Sequence, residues 1–317
     1  MAGGFAFALP LLALVACLAV ALWAVPRRRA LVAVDEAAHP GLARLRRSTL
    51  LGRWLALAGG AIAAVVAAST GGLGRGFALA PTVFGAVQIV GVLAADLLAR
   101  DDARTPGTAG LEIRRVRDFV PAGLVRLVAA AGAVLAVFLG WAGAVAGPDN
   151  LGRPGRALTY SCVEGCDHGT LGPWPGSYYS VPMAAALLGV LVLAAIAVRV
   201  TVRRPRNGAS PEIVAVDDVV RRRSVESVLA AVGVAFTGSL AGTALLSGAR
   251  LAGLGPNRGP VALQVAGWSL LGVGLVALVC LVWCLVVLLL PGAGAASPGR
   301  RSPPASPLTG GRERARG

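Results

Sequence analysis

The densest group of side chains able to do chemistry in this 317-residue chain is Ser161–His168, SCVEGCDH. It holds two of the five cysteines, Cys162 and Cys166, and one of the two histidines, His168. Three chemistries suit that inventory. Thiols with three residues between them can close a small disulfide ring, and disulfides persist in oxidising compartments. Cys162, Cys166, Asp167 and His168 could instead ligate a metal, with a spacing loosely like a zinc half-site, but no second ligand pair follows. A catalytic redox pair normally has two intervening residues and an electropositive setting, whereas Glu164 and Asp167 work against a thiolate here. The expectation is a Cys162–Cys166 disulfide on an outward-facing segment, with no metal and no cofactor.

Downstream, GPWPGSYYS carries Trp174, Tyr178 and Tyr179, and Tyr160 precedes the cysteines. Aromatic residues of this kind gather at membrane interfaces. They can serve as a lid on the headgroups or, with Tyr160, as an outer recognition surface. Cys280 and Cys284, four apart on one helical face, could bind a soft metal. Free cysteine is also a small apolar packing residue, and packing is the expected role. No glycine-rich phosphate loop, His-Glu pair or Ser/His/Asp arrangement stands out, so the chain reads as a non-enzyme.

The surrounding chain must position these groups, and its composition is that of a membrane protein. Hydrophobic residues make up 56%, charged residues 14%, and the mean hydropathy is +0.73. Apolar spans run at about Phe5–Val25, Trp54–Thr70, Phe77–Leu98, Leu124–Ala146, Val181–Val198, Ser227–Leu246 and Val261–Leu290. At 1.5 Å per residue the first reaches about 31 Å, enough for a hydrocarbon core of roughly 30 Å. The expected fold class is therefore all-α: a polytopic transmembrane helix bundle of about seven spans. Residues 1–290 form the membrane domain, with an outer disulfide loop over 147–180, and residues 291–317 form a disordered basic cytoplasmic tail.

All 30 basic residues are arginine, and the net charge is +15. Nucleic acid is one partner for such a charge, but the arginines flank the spans. They cluster after the first, third, fifth and seventh spans, against only Arg75, Arg153, Arg156, Arg250 and Arg258 on the other side. The positive-inside rule then puts the amino terminus outside and the carboxyl terminus inside a bacterial plasma membrane. The first span has no basic residue before it and RRR directly after it, the reverse of a cleavable signal.

No span carries a charge near its midpoint. Asp96, Arg126, Arg199 and Glu226 sit near the arginine-rich ends, where side chains are expected to snorkel to water. Midspan polarity is limited to Gln88, Thr237, Ser239 and Thr243, whose expected role is hydrogen bonding between helices. Asp217 and Asp218 stand four residues before Arg221 and Arg222, as on a solvated helix entering the membrane. VAVDE at Val32–Glu36 returns as VAVDD at Val214–Asp218, and Pro81, Pro182 and Pro260 lie near span starts. These echoes suggest one leading helix followed by three related hairpins.

The run GRALTYSCVEGCDHGTLGPWPGSYYSVP resembles a stretch of multi-pass integral membrane proteins from high-GC actinobacteria. The resemblance implies the architecture and carries no activity or site residue across. The expected function is structural, interaction or signalling accessory, exerted on a membrane or extracytoplasmic protein partner or on the lipid bilayer. The alternative is a permease or channel for a small neutral or apolar solute.

Overall fold

The computed structural model describes residues 40–98, 119–161, 169–203, 211–254 and 260–289. The expected first span Phe5–Val25, the Cys162–Cys166 pair with its neighbours Asp167 and His168, and the tail 291–317 lie outside the described residues.

Six helices dominate: α1 Pro40–Ser69, α2 Arg75–Leu98, α3 Ala122–Ala144, α4 Ser177–Arg203, α5 Pro211–Ala252 and α6 Val261–Leu289. Each contains a stretch long and apolar enough to cross a membrane. Such sequences become helical because lipid offers no hydrogen bonds, so every backbone group must be satisfied within its own segment. These helices account for the second to seventh expected spans. Large apolar side chains remain uncovered around the rim, including Leu55, Ile62, Val65, Val137, Leu188 and Val276. A water-soluble surface rarely exposes a continuous apolar patch of that extent.

Burial is distributed unevenly. Of the apolar window in α5, 83% is buried, against 11% in α1. Helix α5 is the centre, packed by α2, α3, α4 and α6, while α1 packs chiefly on α2. Between α2 and α5 the backbones approach closely through small residues, the usual means of packing helices without a hydrophobic driving force. A Cβ on Gly85 would lie 2.8 Å from the Ala231 carbonyl oxygen, and one on Gly238 would lie 2.8 Å from Pro81 Cβ. Pro81 is thus a ridge seated on a glycine. It lies inside α2, as Pro182 lies inside α4, so both depart from the expected place at a helix start. Pro260 alone directly precedes its helix, and its carbonyl accepts from the Leu263 N–H at 3.0 Å.

The three consecutive helix pairs are not alike. Helices α1 and α2, and likewise α5 and α6, pack along their length, whereas α3 and α4 touch sparingly, α3 leaning on α5 and α4 on both α2 and α5. Helix α5 also absorbs Val214–Asp218, which the loop echo had assigned to a connection.

The all-α expectation needs one correction. Between α3 and α4 the chain forms a three-stranded antiparallel sheet: β1 Ala146–Gly147, β2 Ala157–Tyr160 and β3 Gly169–Leu171, in spatial order β1-β2-β3. Ala146 faces Leu158, and Thr159 faces Thr170. Ala157 and Leu158 are buried against the bundle, while Thr159 is exposed. The sheet caps the end of the bundle opposite the arginine-rich one.

Candidate functional site

The cap is anchored by Trp174. Its side chain is 1% exposed, its indole N–H donates to the Ala142 carbonyl at 2.9 Å, and its ring meets Trp141 edge-on with centroids 5.6 Å apart. An amphipathic ring satisfies both requirements at once, apolar contact and a partner for the one polar atom. Backbone bonds extend the tie: the Trp174 N–H donates to Arg156 O at 2.9 Å, and the Tyr178 N–H to Gly155 O at 3.3 Å. Gly155 has φ +69°, a conformation that L side chains rarely adopt.

The cap also grips the α1–α2 turn. Gly71, Leu73 and Gly74 all have positive φ. The hydroxyl of Tyr179 donates to the Leu73 carbonyl at 2.7 Å, supporting a leucine in an unfavourable backbone region. Tyr178 stands edge-on to Tyr179 with centroids 4.9 Å apart. The Arg156 guanidinium lies 4.0 Å from the Tyr178 ring centroid, and that of Arg75, arriving from the turn, lies 5.3 Å away. Two cations on one ring face an open cleft of about 490 Å³, which Arg153, Pro154 and Pro182 also line.

Arg153 is held differently. Its Nε donates to Asp149 Oδ2 at 2.8 Å, and Asp149 Oδ1 accepts from the Leu151 and Arg153 backbone N–H groups, each at 2.9 Å. Desolvation pushes the Asp149 carboxyl up, but the hydrogen bonds from Arg153 and Leu151 outweigh it and hold the group below the ordinary 3.8. A depressed folded-state value contributes order that is fully present above 3.8 and lost as pH falls through the lower folded value. Protection of the Leu151 and Arg153 amides against hydrogen exchange should be unchanged from neutral pH down to the ordinary carboxylate range and fall below it. Asp149→Asn should lose that acid step; an unchanged profile would refute the assignment.

Of the four aromatic residues expected to make an outer recognition surface, Trp174 and Tyr179 are turned inward and buried. Tyr160 and Tyr178 are half-buried and keep an accessible edge. In the sequence, the arginines that complete the cleft stand out only as minority charges of the outer side. Arg75 and Arg156 are far apart in the chain, and only the turn-to-cap contact brings them together.

A second group was missed at the opposite end. Asp96 is 2% exposed rather than snorkelling to water. The Thr201 hydroxyl of α4 donates to its Oδ2 at 2.9 Å, and the Ser224 hydroxyl of α5 donates to its Oδ1 at 3.0 Å. Arg53 of α1 is close enough to interact electrostatically with both Asp96 and Glu226. Glu226 is 5% exposed and accepts from Arg222 Nε at 3.3 Å. Arg221, expected on a solvated face, is 1% exposed and donates to the Val202 carbonyl at 3.2 Å. One carboxylate therefore joins α2, α4 and α5.

The midspan hydroxyls divide between two roles. Ser239 pairs with Thr82 of α2 at 3.4 Å, as an interhelical bond. Thr237 and Thr243 bond within their own helix, each at 2.6 Å, to Gly233 O and Ser239 O. Gln88 is 1% exposed, and its Oε1 has no hydrogen-bond partner among the described residues. Cys284 is fully buried, and its Sγ would lie 2.5 Å from a Cβ on Gly233, so it fills the space that glycine leaves at the α5–α6 contact.

Comparison with protein-family models, with curated proteins and with solved structures finds no match for this chain. The class is defined by the fold itself: a helical bundle that has, among the described residues, six apolar helices of membrane-crossing length and a small β cap over one end.

Proposed function

We propose that this chain is a seven-span bacterial plasma-membrane protein, amino terminus outside, that acts without catalysis by binding an anionic group of an extracytoplasmic partner. The first span would be Phe5–Val25, and the arginine-poor, sheet-capped end would face outward. Cys162 and Cys166, as a disulfide, would staple the same loop.

The observation that carries this reading is the stacking of Arg156 and Arg75 on Tyr178 in an open cleft. A guanidinium already held flat against a ring gives up little freedom when it meets a carboxylate or phosphate, and it can do so with two parallel N–H bonds. Asp149 engages Arg153, whereas Arg75 and Arg156 have no acidic partner among the described residues.

A photo-crosslinking residue in place of Val181, at the cleft edge, tests the reading in intact cells. A discrete partner adduct is expected. Arg156→Gln should weaken its formation about tenfold or more, the scale of a lost hydrogen bond to a charged group. Arg250→Gln, outside the cleft, should leave it unchanged. No adduct, or equal loss in both variants, would refute the proposal.

The second reading, a permease for a small neutral or apolar solute, is favoured by the unpaired amide oxygen of Gln88. Solute flux into vesicles that disappears in Gln88→Met would promote it over the first.

A further inference from the structure

Helices α3 and α4 both lean on α5 but scarcely on each other, and the gap between them is a cleft of about 550 Å³. Its walls are apolar: Val128 from α3, Leu191, Ala195 and Val198 from α4, and Leu229 and Val232 from α5. Arg199 and Arg203 close its arginine-rich end. Both are exposed, and neither makes a hydrogen bond or ion pair among the described residues. From Leu191 to Arg203 the helix advances about 18 Å, close to one leaflet of hydrocarbon, about 15 Å, plus the start of the headgroup layer.

We propose that this cleft is a binding site for one anionic phospholipid, with an acyl chain along α5 between α3 and α4 and the headgroup phosphate on Arg199 and Arg203. Three features match that occupant and no other single class. The groove is apolar along a leaflet's depth, it opens sideways between two rim helices, and among the described residues that line it the only charges are cations at the headgroup end. Basic pockets between membrane helices recruit anionic headgroups in this way. A zwitterionic phospholipid would fill the same groove and present the same phosphate, but its headgroup ammonium offsets the attraction to two arginines, so preference between lipids, rather than lipid binding itself, is the diagnostic quantity.

The test uses the full chain in mild detergent, titrated with phosphatidylglycerol or phosphatidylcholine and read by native mass spectrometry. Phosphatidylglycerol should form a one-lipid adduct in preference to phosphatidylcholine. Arg199→Gln and Arg203→Gln should each weaken that adduct about fivefold, and together about thirtyfold. Because both positions are exposed, neither change should unfold the bundle, and unchanged thermal unfolding would verify this. Ala195→Trp, which fills the groove from an exposed position, should abolish the adduct of either lipid. Equal binding of the two lipids would overturn the proposal, as would a preference that survives the double arginine change. Displacement of phosphatidylglycerol by inorganic phosphate would reduce the site to a small-anion patch. A crosslink from a benzophenone-bearing residue at 195 to residues 5–25, or to a second copy, would show that protein occupies the groove and would equally overturn it.

Discussion

Asp96→Ala is expected to destabilise the bundle by about 3–5 kcal/mol, the scale of deleting one member of a buried charge network. The deletion removes two hydrogen bonds to a carboxylate, from Thr201 and Ser224, each worth about 1.5–3 kcal/mol when the acceptor is charged. It also leaves both hydroxyls in a site where Asp96 was 2% exposed and strips Arg53 of a neighbouring negative charge. Asp96→Asn should cost less, since the amide oxygen can still accept one of the two bonds. Ser224→Ala should cost about 1.5–3 kcal/mol on its own. Heating in detergent followed by size-exclusion chromatography measures all three. The order Ala worst, then Asn, then wild type is required; an Asp96→Ala protein as heat-resistant as wild type would remove the carboxylate from its role as a three-helix tie.

Trp174→Ala should act at the other end and in a different way. Truncating a buried tryptophan costs about 3–5 kcal/mol. Here the loss also leaves the Ala142 carbonyl without its indole donor and removes the edge-on contact with Trp141. The cap is a short sheet of nine residues in strands, two, four and three long, and has little other core of its own. The cap should therefore open while the helices stay packed. Limited proteolysis should cut between 147 and 176 in the variant and leave the fragments associated in detergent. Trp174→Phe should restore the apolar contact without the hydrogen bond and lie between. Global unfolding of Trp174→Ala, with no prior cleavage in the cap, would show that cap and bundle are one cooperative unit.

The described spans were legible because their signal is local: twenty or so apolar residues with arginines at one end need no knowledge of neighbours. Which side of a helix faces its neighbours is not local. Asp96 and Arg199 both lie at arginine-rich ends of spans, and hydropathy treats them alike. One is turned into the contact of α2 with α4 and α5; the other faces outward from α4. A weak clue existed in Thr201 and Ser224, small hydroxyls at the matching depth of two other helices, but pairing them required the packing. The same holds for the cleft: Arg75 opens α2 and Arg156 directly precedes β2, and no spacing rule connects them. The cap strands were hidden by their brevity and by the burial of both Ala157 and Leu158, which leaves ALTY without the alternation that marks a half-covered strand.

Helix α5 runs for 42 residues, about 63 Å, and in its membrane portion nearly every side chain from Ser224 to Ala241 meets a neighbour. A rod enclosed so closely cannot turn or slide without disturbing four packed surfaces at once. Any movement this molecule makes must then be a swing of its rim about a stationary mast. Of the consecutive pairs, α3 and α4 have the fewest ties to each other, and they are the staves free to part.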